Sequence, residues 1–182
     1  MARLPYSESP KQHAKSHPTL NIMKLLSYST ATVDHWAGLG NAQFKHLSLS
    51  PRDRELVIML TTSKFHSTYE WTHHLPVSLK AGVTKQQQAA LKASAKEKNY
   101  FIDRKLDNGA AGFSEKDLVL LSFVETIIQQ PEVSDELWKS VKGVFSDREI
   151  VEIISLQGFY YSFSRLTTVL QCDFDDWAKS KL

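Results

Sequence analysis

Five serine or threonine residues in this chain each stand three places ahead of an acid or a glutamine, and apolar residues follow each one. They are Ser50 before Asp53, Ser67 before Glu70, Thr84 before Gln87, Ser114 before Asp117 and Ser146 before Glu149. Such a pair satisfies the open N–H groups of a helix start. The hydroxyl accepts one backbone N–H, and the longer side chain reaches back to another. Pro51 strengthens the first start, because proline fits the first helical position. No clear Asn-Gly hairpin occurs, and alternation of β-branched residues is never sustained. The pattern predicts an all-α chain, its helices joined by short capped turns.

Taken in order, helices are expected from Pro18 through Leu26, from Val33 to His46 and from Pro51 to Lys64. A fourth runs from Ser67 to Gly82, kinked at Pro76, where the hydrogen bond to Thr72 is lost. Helices from Gln88 to Lys96, from Ser114 to a stop at Pro131 and from Ser134 to Val144 follow. The last spans Asp147 to Gln171, with a break at Gly158. Asn99 to Gly112, with Asp107-Asn108-Gly109, reads as a loop. Asp53-Arg54-Glu55-Leu56-Val57 returns as Asp147-Arg148-Glu149-Ile150-Val151, again behind a serine. This suggests a duplicated helical unit, although acids at the positive end of a helix explain the charges equally well.

A chain of 182 residues fits one domain. We expect a flexible arm over residues 1–18, the domain over 19–172 and a polar, frayed tail over 173–182. The net charge of +2 and scattered basic residues give no reason to expect nucleic acid or membrane as a partner. No apolar stretch is long enough for a bilayer, and the first residues carry no signal-peptide core. A cytoplasmic protein is the simplest expectation. A single cysteine, Cys172, excludes a disulfide scaffold and a Cys-x-x-Cys pair within one chain.

Ser67-Thr68-Tyr69-Glu70-Trp71-Thr72-His73-His74 concentrates the proton-transfer groups. On a helix Ser67, Glu70 and His74 share one stripe and Tyr69 and His73 the next. Glu70 is either the capping acid or a proton-transfer group facing His74, its pKa raised by an apolar pocket. His74 is either a satisfied buried imidazole or the partner of Glu70. Tyr69 and Trp71 suit pocket walls, and His73 lies about 100° round the helix, toward solvent. Arg54 and Arg148 either clamp a substrate carboxylate or pair with nearby acids. A di-iron site is not expected, because no second Glu-x-x-His exists, and a metal held by His66, Glu70, His73 or His74 is a less favoured alternative.

Leu49-Ser50-Pro51-Arg52-Asp53-Arg54-Glu55-Leu56, then Tyr69-Glu70-Trp71-x-x-His74, then Ala81-Gly82-Val83, resembles the carboxymuconolactone decarboxylase family, which has the AhpD-like fold. Phe145 to Glu152, Gly158-x-Tyr160 and Arg165 are similar to it as well. Peroxidase members of the family carry Cys-x-x-Cys-x-x-x-His at this place. Here Ser67 and Glu70 stand where the cysteines would be, and His74 matches the histidine. Dithiol chemistry needs two thiols, so the resemblance implies a thiol-free, decarboxylase-like member rather than a peroxidase. It also implies a homo-oligomer, a dimer, trimer or hexamer.

The expected function is a cofactor-free, metal-free lyase acting on a small unsaturated carboxylate or lactone. Glu70 and His74 would be catalytic, and Ser67, Tyr69, Trp71, His73 and Arg54 would contact substrate. An isomerase, dehydratase or cyclase with the same acid–base equipment is the near alternative. A non-catalytic ligand-binding oligomer is the distant one.

Overall fold

The computed structural model of the protein describes residues 1–7, 19–104 and 111–179. These contain nine helices and no strand: α1 (Asn21–Leu26), α2 (Val33–Lys45), α3 (Pro51–Lys64), α4 (Thr68–Lys80), α5 (Lys85–Ser94), α6 (Glu115–Gln129), α7 (Asp135–Val144), α8 (Asp147–Leu170) and α9 (Asp176–Lys179). The expected start at Pro18 and the Asp107-Asn108-Gly109 turn lie outside the described residues.

Four of the five expected caps form. The hydroxyls of Ser50, Thr84, Ser114 and Ser146 accept backbone N–H groups, and the last three close complete capping boxes. Ser67 does not cap α4. The end of α3 explains why. His66 takes a left-handed conformation with φ 54°. Its N–H reaches Ser63 O at 3.0 Å, and the Ser67 N–H reaches Thr62 O at 2.9 Å. This ending satisfies the last α3 carbonyls and uses the very N–H that a capping Glu70 would have reached. Gly82, at φ 95°, ends α4 by the same geometry, with Val83 N–H on Ser78 O at 2.9 Å. α4 continues through Pro76, and α8 is unbroken at Gly158.

α3 is the axis of the molecule. It packs against α4, α5, α6 and α8, and Leu56 through Leu60 are fully buried. A helix buried on every side cannot be amphipathic, so its polar residues must find partners inside. Ser63 Oγ donates to Leu91 O at 2.7 Å, and Lys64 Nζ donates to Ser94 O at 2.7 Å. Lys64 also pairs with Glu125, whose carboxylate receives the N–H groups of Tyr100, Phe101 and Ile102. Arg52 ties two capping boxes together: it pairs with Asp117 of one and donates to Gln87 Oε1 of the other at 3.3 Å.

The two Asp-Arg-Glu sequences both begin helices but serve different ends. Arg54 is nearly buried beneath α2, whereas Arg148 is exposed and binds Glu152 on its own helix at 2.8 Å and His46 O at 2.9 Å. The described part of the segment expected to fray, residues 173–179, is docked instead. Asp175 is buried and Ala178 has no exposed surface. Residues 1–7 lie against it, with Tyr6 Oη donating to Asp173 Oδ2 at 3.0 Å. No helix among the described residues is long and apolar enough to cross a membrane.

Candidate active site

A cavity of about 460 Å³ lies between α1, α2, α4 and α8. Its walls are mainly apolar and aromatic, with Ile22, Met23, Trp36, Phe44, Phe159 and Phe163. Trp36 packs on Phe159 and Phe163 at ring distances of 5.2 and 5.4 Å. Polar groups come from Tyr69, Glu70, His73 and His74 of α4 and Tyr160 of α8, with Thr19 and Asn41 at α1 and α2. Among the described residues, no lysine or arginine borders the cavity.

The expected Glu70–His74 pair does not form, because each residue has other partners. Glu70 Oε2 receives the Ser67 hydroxyl and, at 3.0 Å, the Thr167 hydroxyl. Glu70 Oε1 is buried and has no hydrogen-bond partner. An ionised carboxylate in such surroundings would carry an uncompensated charge. Burial accordingly pushes the Glu70 pKa up to about 8, against the smaller downward pull of Thr167. At neutral pH this carboxyl is therefore mostly a protonated acid.

His74 is paired with a different acid. Its Nδ1 lies 2.8 Å from Glu55 Oε2, and its Nε2 lies 3.0 Å from the Tyr160 hydroxyl. Glu55 is fully buried, and its other oxygen receives Arg54 Nε at 3.1 Å. With a carboxylate on Nδ1, the ring proton sits there and Nε2 is left to accept the Tyr160 O–H. Arg54, Glu55, His74 and Tyr160 thus form one line leading to the cavity. Burial holds the Tyr160 phenol well above its ordinary pKa, and the charges of Glu55 and Glu70 raise it further. It stays a neutral hydroxyl that can pass a proton but does not ionise.

A second line closes the cavity beside α1. Asp175 receives the Tyr69 hydroxyl at 2.5 Å and the Asn21 N–H at 2.9 Å, and it lies 2.8 Å from His73 Nε2. Burial would raise the Asp175 carboxyl, but the bonds from His73, Tyr69 and Asn21 outweigh it and hold the group below the usual range. His73, expected toward solvent, is instead stacked on Tyr69 with ring centres 4.2 Å apart and borders the cavity.

Of the residues expected to contact substrate, Tyr69 and His73 border the cavity with Glu70 and His74. Trp71 does not, because it packs against the main core beside α3. Ser67 lies behind Glu70, on a separate polar cavity. Arg54 is turned away, donating to Phe44 O at 3.1 Å with its guanidinium 4.4 Å over the Phe44 ring. It is the counter-ion of Glu55, not a substrate clamp, and Arg148 binds only its own surroundings. Glu55, Tyr160, Thr167 and Asp175 were not identified from the sequence. Glu55 and Tyr160 do lie inside the quoted family motifs, but nothing local shows that they meet His74. Among the described residues, no group of three or more His, Cys, Asp or Glu is placed to hold a metal ion.

The arrangement of helices is that of the AhpD-like proteins. A protein of unknown function from Agrobacterium tumefaciens, described as a candidate antioxidant defence protein AhpD, superposes with a TM-score of 0.67 at 17% identity, over 83% of this chain and 95% of that one. An uncharacterised peroxidase-related protein from Ralstonia eutropha JMP134, with an alkylhydroperoxidase AhpD core, gives 0.72 at 14% identity over 90% and 81%. The debrominase Bmp8, whose cysteine-to-alanine variant is known in complex with 2,3,4-tribromopyrrole, gives 0.66 at 10% identity over 88% and 79%. Likeness at these identities is a likeness of fold. No curated protein matches the chain in sequence. The model of the carboxymuconolactone decarboxylase family matches residues 31–96, which include α3, α4 and the cavity residues Tyr69, Glu70, His73 and His74. The family match over residues 31–96 and the AhpD-like fold together support a relation to the carboxymuconolactone decarboxylase and AhpD-like proteins.

Proposed function

We propose that this chain is an acid–base enzyme acting on a small, mainly apolar, unsaturated carbonyl compound, and that it works as a decarboxylase-type lyase without a cofactor. The observation that carries this is Glu70 Oε1, a buried carboxyl oxygen with no partner, at the edge of an apolar cavity. A pKa of about 8 lets Glu70 hold a proton at neutral pH and still release it readily. A substrate carboxylate entering this mainly apolar cavity exchanges its hydration shell for aromatic walls. Loss of CO2 disperses that charge, so the surroundings favour the step. The C–C bond breaks, its electron pair moves into the conjugated carbonyl, and Glu70 delivers the proton that quenches it on carbon. Tyr160, whose O–H is given to His74, can take up a proton from the substrate as it passes its own to the imidazole.

The same groups would serve an isomerase, dehydratase or cyclase, in which the Tyr160–His74–Glu55 line removes a proton and Glu70 returns one. The debrominase of like fold binds a small flat ring, which supports a ligand of that size here. Thiol peroxidase chemistry is not supported. Cys172 borders the other cavity, and burial pushes its pKa up to about 12.

The test is a panel of small unsaturated lactones and keto acids incubated in D2O and followed by NMR. CO2 release with one deuteron left on carbon is expected from the wild type. In Glu70→Gln the rate should fall on the order of a hundredfold or more. Deuterium exchange without CO2 release would mark the isomerase-type alternative. Equal rates for the two proteins would remove Glu70 from the chemistry.

A further inference from the structure

A second cavity, of about 650 Å³, is bordered by Ser67 and Thr167, the two hydroxyl partners of Glu70. Both are buried, and the exposed residues His66, Thr68, Thr168 and Gln171 border the cavity as well. Glu70 does not border it. The two cavities are separated at this point by one carboxyl and two hydroxyls. Thr167 Oγ1 and Ser67 Oγ are 3.1 Å apart, and both hydroxyls contact Glu70 Oε2. Glu70 Oε1 is the atom left free.

We propose that Ser67 and Thr167 are the proton-supply relay of Glu70, drawing protons from the polar cavity so that the apolar cavity need not admit water. The inference rests on Glu70 acting as the acid proposed above. Neither hydroxyl is needed as a cap, since Ser67 makes no capping bond and Thr167 sits inside α8. Each has one proton to give and two lone pairs to receive one, so the chain can run in either direction. When the Thr167 hydroxyl turns from Glu70 Oε2 to Ser67, with Ser67 donating to Oε2, the relay is aligned and the carboxyl proton is placed on Oε1. Once the substrate has taken that proton, Ser67 gives its own to Oε2, Thr167 gives its own to Ser67, and a water of the polar cavity restores Thr167. Half a turn of the carboxyl presents the new proton to the substrate side. One proton enters at Thr167 for each one that leaves at Glu70, and no bond other than O–H is broken. Such a route resolves a conflict built into the site, which needs dryness for the reaction and an aqueous source for its proton.

The test uses no substrate. The C=O stretch of protonated Glu70, assigned by its absence in Glu70→Gln, is followed by infrared spectroscopy after rapid mixing into D2O. Thr167→Val is close in shape and removes only the hydroxyl. Its hydrogen–deuterium exchange at Glu70 should be slower by on the order of tenfold or more, and Thr167→Ser should restore the wild-type rate. Ser67→Ala should slow exchange as well, and it supplies the test if Thr167→Val does not fold. Exchange as fast in both valine and alanine variants as in the wild type would overturn the relay and leave Glu70 as an acid fed from the apolar side. Absence of the protonated band in the wild type at neutral pH would instead overturn the assignment of Glu70 as the acid.

Discussion

His74 Nδ1 rests 2.8 Å from Glu55 Oε2, an acid of the preceding helix, and not against Glu70 four residues earlier on its own helix. The two carboxyls of the site are thereby separated in role. Glu55 has Arg54 as counter-ion and orients the imidazole, whereas Glu70 has only hydroxyl partners and holds a proton. Environments that drive two titratable groups apart in this way are what divides an acid from a base within one site.

Glu55→Gln should therefore harm the fold as well as the site. It leaves Arg54, only 9% exposed, without its counter-ion. Removing one partner of a buried pair costs about 3–5 kcal/mol. Denaturant unfolding should show a loss of that size. A loss no larger than that of a surface substitution would mean that Arg54 and Glu55 are not coupled.

Glu70 makes stability depend on pH in a direction opposite to the usual carboxylate. Its pKa is raised from 4.5 to about 8 on folding, so the folded state binds the proton more tightly than the unfolded state. The stabilising contribution is complete below about 4.5 and is lost as pH rises toward 8. Relative to Glu70→Gln, the wild type should lose several kcal/mol, on the order of 1.4 for each pKa unit, between pH 5 and pH 9. Parallel stability curves for the two proteins across that range would exclude a raised Glu70.

Asp175 pins the C-terminal segment and α1 beside the cavity through Tyr69, His73 and Asn21. Asp175→Asn places an amide against donors that need an acceptor, at a cost of about 1–3 kcal/mol for a buried unsatisfied group. Limited proteolysis should then cut the C-terminal segment faster while the helical core resists. Unchanged cleavage would show that the latch contributes nothing.

A homo-oligomer is proposed from the surface of α8. Val151, Ile154, Tyr161 and Val169 are 41–66% exposed and fall on one side of that helix. Exposed apolar residues gathered on one helix side are a common mark of a protein interface. Light scattering at micromolar concentration should report a multiple of 20.7 kDa. A strict monomer would show that this side of α8 has no partner copy. Phe145, Phe159 and Tyr160 do not contribute to it, since they are buried.

The helices were legible because their starts are written locally. Ser114 and Asp117 need only each other and the backbone between them. Ser67 was misjudged because its N–H is committed to Thr62 by the turn that ends α3, and nothing in the Ser67–Glu70 spacing reveals that commitment. The α4 residues of the site were legible for the same local reason: Tyr69, Glu70, His73 and His74 share neighbouring faces of one helix. Their partners were not. Glu55, Tyr160, Thr167 and Asp175 come from α3, α8 and the C-terminal segment, and only tertiary packing brings them to α4. Arg54 beside Glu55 looked available for a ligand carboxylate because sequence does not show that α2 covers it.

The proton held by Glu70 is best measured directly. In protein labelled with 13C at the glutamate side-chain carboxyl, the Glu70 resonance can be assigned by its loss in Glu70→Gln and titrated by NMR. A midpoint near 8 is expected. A midpoint near the ordinary 4.5 would contradict it, leaving an ionised Glu70 at neutral pH and no acid at the edge of the cavity.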